Sequence, residues 1–172
     1  MKNRIINFLV LSFFFVGTIN SYSQEKNFIF ETQNIEIKNG GNLIIANFGK
    51  AISKKGNYEI KADNFKYFSD TGILEINGNG LILLEKKKLR INFDEGLIRS
   101  KRNQFEAYGR IEVENLNRNL KIKSKKINYD FENNLLFSNT KSIIFDRYKN
   151  RLSVNKLNYE IQKDILKVYE LK

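Results

Sequence analysis

The sequence predicts an all-β chain of stacked units, and two observations carry that prediction. The first is a repeat. Phe30–Ile37, Ile60–Tyr67, Ile91–Ile98, Ile122–Tyr129 and Leu152–Tyr159 are similar segments, and their first positions lie 30, 31, 31 and 30 residues apart. A fixed period of this size marks a repeat architecture, in which no single unit can bury its own apolar face. The second is alternation of apolar and polar residues, as in Phe28/Phe30, Leu43/Ile45, Leu81/Leu83, Leu89/Ile91/Phe93, Ile127/Tyr129/Phe131 and Leu157/Tyr159/Ile161. Period two describes strands with one buried and one wet face, and no segment keeps a helical stripe for three turns. A sandwich, a barrel and a solenoid all satisfy this pattern.

Within each repeat the lead strand is followed by a turn: Lys38–Gly41, Ser69–Gly72, Arg99–Asn103 and Glu132–Asn134. Proline is absent, so Gly and Asn must make these turns. A second strand then approaches a small residue or Gly, as in Ala46-Asn-Phe-Gly49, Ile76-Asn-Gly78 and Ala107-Tyr-Gly109. Gly at a recurrent point in a strand predicts a bulge or corner. Ser138-Asn-Thr140 takes that place in the fourth repeat, and Gly96 is expected to break the third lead strand. On this reading each repeat holds three or four short strands.

The amino terminus predicts a secretory leader. Lys2 and Arg4 precede a mostly apolar run from Ile5 to Val16, and Ser21-Tyr-Ser23 places cleavage before Gln24. The run is shorter than the roughly 20 residues that span a bilayer. Residues 1–23 are thus expected to be a leader and 24–172 a single β domain.

The chain has 172 residues, 41% hydrophobic and 28% charged, with a net charge of +11. That composition is globular, and its charge favours anionic partners. The abundance of Lys and Asn beside Ile and Phe also fits an AT-rich coding sequence. Lys86–Lys88 and Lys121–Lys126 are the densest basic runs, but export and the lack of a recognition module argue against nucleic acid.

Histidine and cysteine are absent. A Ser-His-acid triad, thiol chemistry and Cys/His zinc sites are excluded, and no cofactor is expected. The remaining carboxylate pairs are unpromising. Glu112 and Glu114 alternate with Ile111 and Val113 and so belong to the wet face, while Asp94-Glu95 beside Gly96 reads as a turn. No enzyme is expected.

Strands of the form Ile60-Lys-Ala-Asp-Asn-Phe65-Lys-Tyr67 and Ile122-Lys-Ser-Lys-Lys-Ile127-Asn-Tyr129, with Ala107-Tyr-Gly-Arg-Ile111 as a closing strand, resemble the OstA/LptA family over nearly the whole mature chain. The resemblance implies a folded-over antiparallel sheet, a β-jellyroll likened to a taco, with an open apolar groove. It implies periplasmic lipopolysaccharide transport toward the outer membrane, with the lipid A acyl chains shielded in that groove. It also implies head-to-tail pairing with homologous Lpt-type domains through terminal strands, with self-association as a variant. An LptA-type bridge, the N-terminal domain of an LptD-type assembly protein and an anchored LptC-like component all fit. The different reading is a structural solenoid with a closed core.

The positions expected to line the groove are Ile35, Ile37, Ile60, Phe65, Tyr67, Ile76, Leu83, Ile91, Phe93, Phe105, Ile111, Val113, Ile122, Ile127, Tyr129, Phe137 and Phe145, with Leu81 and Ile143 beside them. Lys61, Lys66, Arg90, Lys121 and Lys123 are expected to point outward. The apolar terminal segments, residues 28–37 and 165–169, are expected to be pairing edges.

Overall fold

The structure is a computed structural model that describes residues 27–56 and 58–171. The expected leader over 1–23 lies outside the described residues. The chain forms one antiparallel sheet of 11 strands: β1 (Phe28–Lys38), β2 (Leu43–Ser53), β3 (Glu59–Phe68), β4 (Ile73–Leu84), β5 (Leu89–Arg99), β6 (Gln104–Asn115), β7 (Leu120–Asp130), β8 (Leu135–Ser138), β9 (Ser142–Phe145), β10 (Arg151–Glu160) and β11 (Ile165–Leu171). Each strand pairs with its sequence neighbour, except around β8 and β9. These two are halves of one interrupted strand. β8 pairs with the end of β7 and the end of β10, and β9 pairs with their other halves.

The repeat is therefore a hairpin of two long strands rather than three or four short ones. The five recurrent first positions fall in one cross-strand row, Phe30–Ala51–Ile60–Ile82–Ile91–Val113–Ile122–Ile144–Leu152. A second row runs Ile37–Ile44–Tyr67–Leu74–Ile98–Phe105–Tyr129–Leu136–Tyr159–Leu166. Partners in an antiparallel pair share a face, so each row is a continuous apolar line. The turns are stitched in the same period. Ser69, Ser100, Phe131 and Ile161 donate backbone hydrogen bonds of 2.9–3.0 Å to Asn42, Gly72, Asn103 and Asn134 of the preceding turn. Asn39, Asn103, Asn119 and Asn134 adopt positive φ, the conformation Asn tolerates in place of Gly.

The sheet is creased midway along its strands, so that one half of each strand packs over the other. Bulges mark the crease between Asn77 and Gly80, between Asn92 and Glu95, and between Tyr108 and Ile111. A carboxylate from the neighbouring strand grips each glycine corner. Asp63 accepts a 2.8 Å hydrogen bond from Asn79 beside Gly78, and Asp94 accepts one of 2.8 Å from the Arg110 backbone beside Gly109. Gly78 and Gly109 have φ of 79° and 90°. A Cβ there would lie 2.5 Å and 2.6 Å from the carboxylate oxygens, so both the dihedral and the space require glycine.

In the fourth repeat hydroxyls replace this device. Ser124, Ser138, Thr140 and Ser142 bond to one another, and Ser138 also donates to the Lys126 carbonyl at 2.8 Å. Ser138 and Ser142 are fully buried, so each hydroxyl needs these partners. Gly96 does not break its strand. It stays within β5, and the Phe93 ring lies where its Cβ would be, 2.6 Å away. Asp94-Glu95 is likewise a bulge inside β5 and not a turn.

Candidate functional site: the inner face and its ends

The concave face collects most of the expected groove residues. Ile60, Phe65, Tyr67, Ile76, Ile91, Phe105, Ile122 and Ile127 are 0% exposed, and Phe93, Ile111, Val113 and Tyr129 are at most 3% exposed. Edge-to-face ring contacts knit the interior, as between Phe93 and Phe105 at 5.1 Å. Ile35 and Ile37 pair with the inner residues Ala46 and Ile44 and so belong to the inner face. They are nevertheless 53% and 57% exposed, because β1 is the edge and no described residue covers its second half.

Leu83, Phe137 and Phe145 lie on the opposite face, half-buried, as do Leu81 and Ile143. Their inner neighbours are Ile82, Leu84, Leu136 and Ile144. These stretches are apolar on both faces (Leu81–Leu84, Leu135–Phe137, Ile143–Phe145), so a period of two cannot choose the parity. The crease also shifts parity, with inner residues at 91 and 93 followed by 96 and 98.

The two rims of the fold, formed by alternate sets of turns, meet across the inner face. Tyr58 stacks on Phe131 at 4.3 Å. Phe28 meets the Tyr67 ring edge-on at 5.4 Å, and Asn27 donates to the Tyr67 hydroxyl at 3.1 Å. Lys87 Nζ donates to the Tyr129 hydroxyl at 2.9 Å and also to Asn134 Oδ1. Burial lowers the Lys87 pKa and raises that of Tyr129.

At the carboxyl-terminal end a polar bridge crosses between rims. Asn115 Nδ2 donates to the Tyr159 hydroxyl at 2.5 Å, that hydroxyl donates to Asp164 at 2.9 Å, and Arg118 pairs with Asp164 at 2.7 Å. Burial, and then the Asp164 hydrogen bond, push the Tyr159 pKa up to about 12. The phenol therefore remains a donor at neutral pH. Sequence reading missed this set. The signal was present, since Tyr67, Tyr129 and Tyr159 occupy one repeat position, with Ile37 and Ile98 in the other two repeats.

The outer face is polar and internally compensated. Lys61, Lys66 and Lys123 are exposed there. Lys121 pairs with Glu112 at 2.8 Å and Glu114 at 2.9 Å, Lys123 with Glu112 at 3.2 Å, and Lys61 with Glu59 at 3.3 Å. Among the described residues no group of three or more acidic residues is placed to hold a metal ion. Both edges of the sheet, β1 and β11, are the expected terminal segments.

A family model described as "Lipopolysaccharide-assembly, LptC-related" matches residues 9–170. Comparison with curated proteins gives no match. Among solved structures, the chain resembles LptH of Pseudomonas aeruginosa, described as the LptA-homologous periplasmic component of the lipopolysaccharide transport device. The TM-score is 0.60 at 13% identity, over 66% of this chain and 82% of that one. At that identity the likeness speaks to the fold, and the fold is the folded-over β-jellyroll. The family model, by contrast, covers nearly the whole sequence, including every strand up to β11. The chain belongs to the LptC-related family of lipopolysaccharide-assembly proteins.

Proposed function

We propose that this chain is a non-enzymatic carrier in the periplasm. On this reading it holds lipopolysaccharide acyl chains against its inner face and passes them to a like domain. The observation that carries the reading is the apolar row that runs from edge to edge, from Ile37 to Leu166, and is uncovered at Ile37. Transfer of a methylene from water is worth about 0.8 kcal/mol, so a bare 12-carbon chain costs on the order of 10 kcal/mol in an aqueous gap. A uniform apolar line removes that cost without fixing the chain at one point.

The side chains of the two layers fill the space between them. An acyl chain therefore enters where the face is uncovered, and moves onward by parting the rim contacts. The edges supply the joints. β1 and β11 carry unpaired backbone groups and no proline, which suits strand addition by homologous domains or a second copy.

Photo-crosslinking tests the carrier reading. A benzophenone side chain at position 37 or 65 is expected to capture added lipopolysaccharide, and one at the outward position 66 is not. Adducts confined to outward positions would sink it.

The LptC-related match favours a second reading of the amino terminus, in which the apolar run at 5–16 is kept as an anchor and not cleaved. The intact mass of the protein recovered from the producing cell separates the two. Cleavage leaves Gln24 as the first residue.

A further inference from the structure

Beside the polar bridge lies a cleft of about 540 Å³. Leu120, Leu166 and the ring of Tyr159 make its apolar wall, and these are the last residues of the inner face at this end. Arg118 and Arg147 line the same cleft, together with Asp146 and Asp164. The acids nearby are already engaged. Asp146 accepts from the backbone of Tyr148 at 2.9 Å and from the backbone and side chain of Asn150 at 2.8 Å, closing its own loop. Asp164 holds Tyr159 with one oxygen and Arg118 with the other.

The two arginines are differently tied. Arg147 rests on the Tyr148 ring at 4.5 Å and helps to lower the pKa of Asp146 from nearby, without closing a salt bridge among the described residues. Arg118 is 59% exposed in its pair with Asp164, and exposed pairs of this kind contribute little. A dianion offers both guanidinium forks a stronger partner than either now has.

We infer that Arg118 and Arg147 form a site for the phosphomonoester of a phosphorylated, acylated glycolipid, at the carboxyl-terminal mouth of the inner face. The inference rests on the carrier reading above, and adds where the head group sits. Arg118 exchanges Asp164 for phosphate, which loosens the rim bridge at the point where the lipid's chains lie against Leu120 and Leu166. Head-group capture and parting of the rims are then one event.

The test compares equilibrium binding of bisphosphorylated lipid A with lipid A stripped of phosphate by hydrofluoric acid. The unmodified chain and the double variant Arg118→Gln/Arg147→Gln are measured side by side. The chain is expected to prefer the phosphorylated lipid by about tenfold, as charge-assisted pairs allow. The variant is expected to lose the preference, to bind the stripped lipid at least as tightly because its bridge is already loosened, and to unfold at nearly the same urea concentration. A preference that survives in the variant, or none in the unmodified chain, overturns the site while leaving the carrier reading intact. Failure to bind either lipid overturns the carrier reading and the site with it. Inorganic phosphate in large excess competes for the same arginines, so it is expected to shrink the preference while leaving affinity for the stripped lipid unchanged. A preference indifferent to phosphate would place the discrimination elsewhere and overturn the site. Phosphate that also abolishes binding of the stripped lipid would assign the arginines to free phosphate and overturn the lipid site.

Discussion

At its amino-terminal end the sheet stops with the inner row exposed. Ile35 and Ile37 are bare, and among the described residues no polar bridge crosses in front of them. At the carboxyl-terminal end the same row stops at Tyr159 and Leu166. There Tyr159 is 1% exposed, and Asn115, Asp164 and Arg118 join the rims around it. Both ends are edges of one sheet with the same repeat, so the difference lies in a few turn residues and not in the fold. An open apolar end suits receiving or pairing, and a bridged end suits holding until something displaces the bridge.

The widest contrast is between the covered and uncovered parts of the amino-terminal half. Phe65→Ala is expected to cost about 3–5 kcal/mol in urea unfolding, because it empties a fully buried site. Ile37→Ala, in the neighbouring row, should cost under about 0.5 kcal/mol, since its side chain is already wet. Comparable losses would mean that β1 is covered in solution.

The next effect belongs to the carboxyl-terminal half. Ser138→Ala takes the acceptor from the Thr140 backbone N–H and a donor from the Lys126 carbonyl, while Ser124 and Ser142 keep each other, for an expected loss of about 1–3 kcal/mol by the same measurement. Tyr159→Phe leaves Asn115 without its acceptor and Asp164 Oδ1 without its donor, at about 1 kcal/mol. It should also raise amide exchange in the turns at 115–119 and 161–164 while leaving β1 unchanged. Exchange rising at both ends alike would dissolve the contrast.

The smallest effect is at the crease between them. The Arg110 side chain and backbone hold the Asp94 carboxyl below its ordinary value of 3.8. A depressed carboxylate contributes stability that is present above its unfolded value and lost as pH falls through its folded value. The urea midpoint of the parent should therefore drop more steeply below about pH 4 than that of Asp94→Asn. Parallel curves would show that the clamp adds nothing.

Much of the fold was legible in the sequence because a repeat reports its own geometry. Positions 30, 60, 91, 122 and 152 proved to be one physical row, since each hairpin returns the chain to the same height. The number of strands per repeat was not legible. Gly78 and Gly109 mark the bulge or corner expected of them, yet the strand runs on through each corner and so counts once where two short strands were expected. Site positions in strictly alternating stretches, such as Phe65/Tyr67 and Ile111/Val113, were placed correctly on the inner face. Leu83, Phe137 and Phe145 were not, because Leu, Ile and Phe fill both faces there. The rim bridge was hidden for a different reason. Asn115, Arg118 and Asp164 are ordinary turn residues until the crease brings turns about 45 residues apart together, and only pairing can reveal that.

The stitched turns make length a counted quantity. Strands sit about 4.8 Å apart, so each hairpin extends the inner line by about 10 Å. Because every row, rim bond and crease position recurs at the hairpin period, a whole hairpin can be gained or lost without breaking register, whereas a fraction of one cannot. The protein can therefore be fitted to a wider or narrower space only in steps of that size, and its reach is written in its number of repeats.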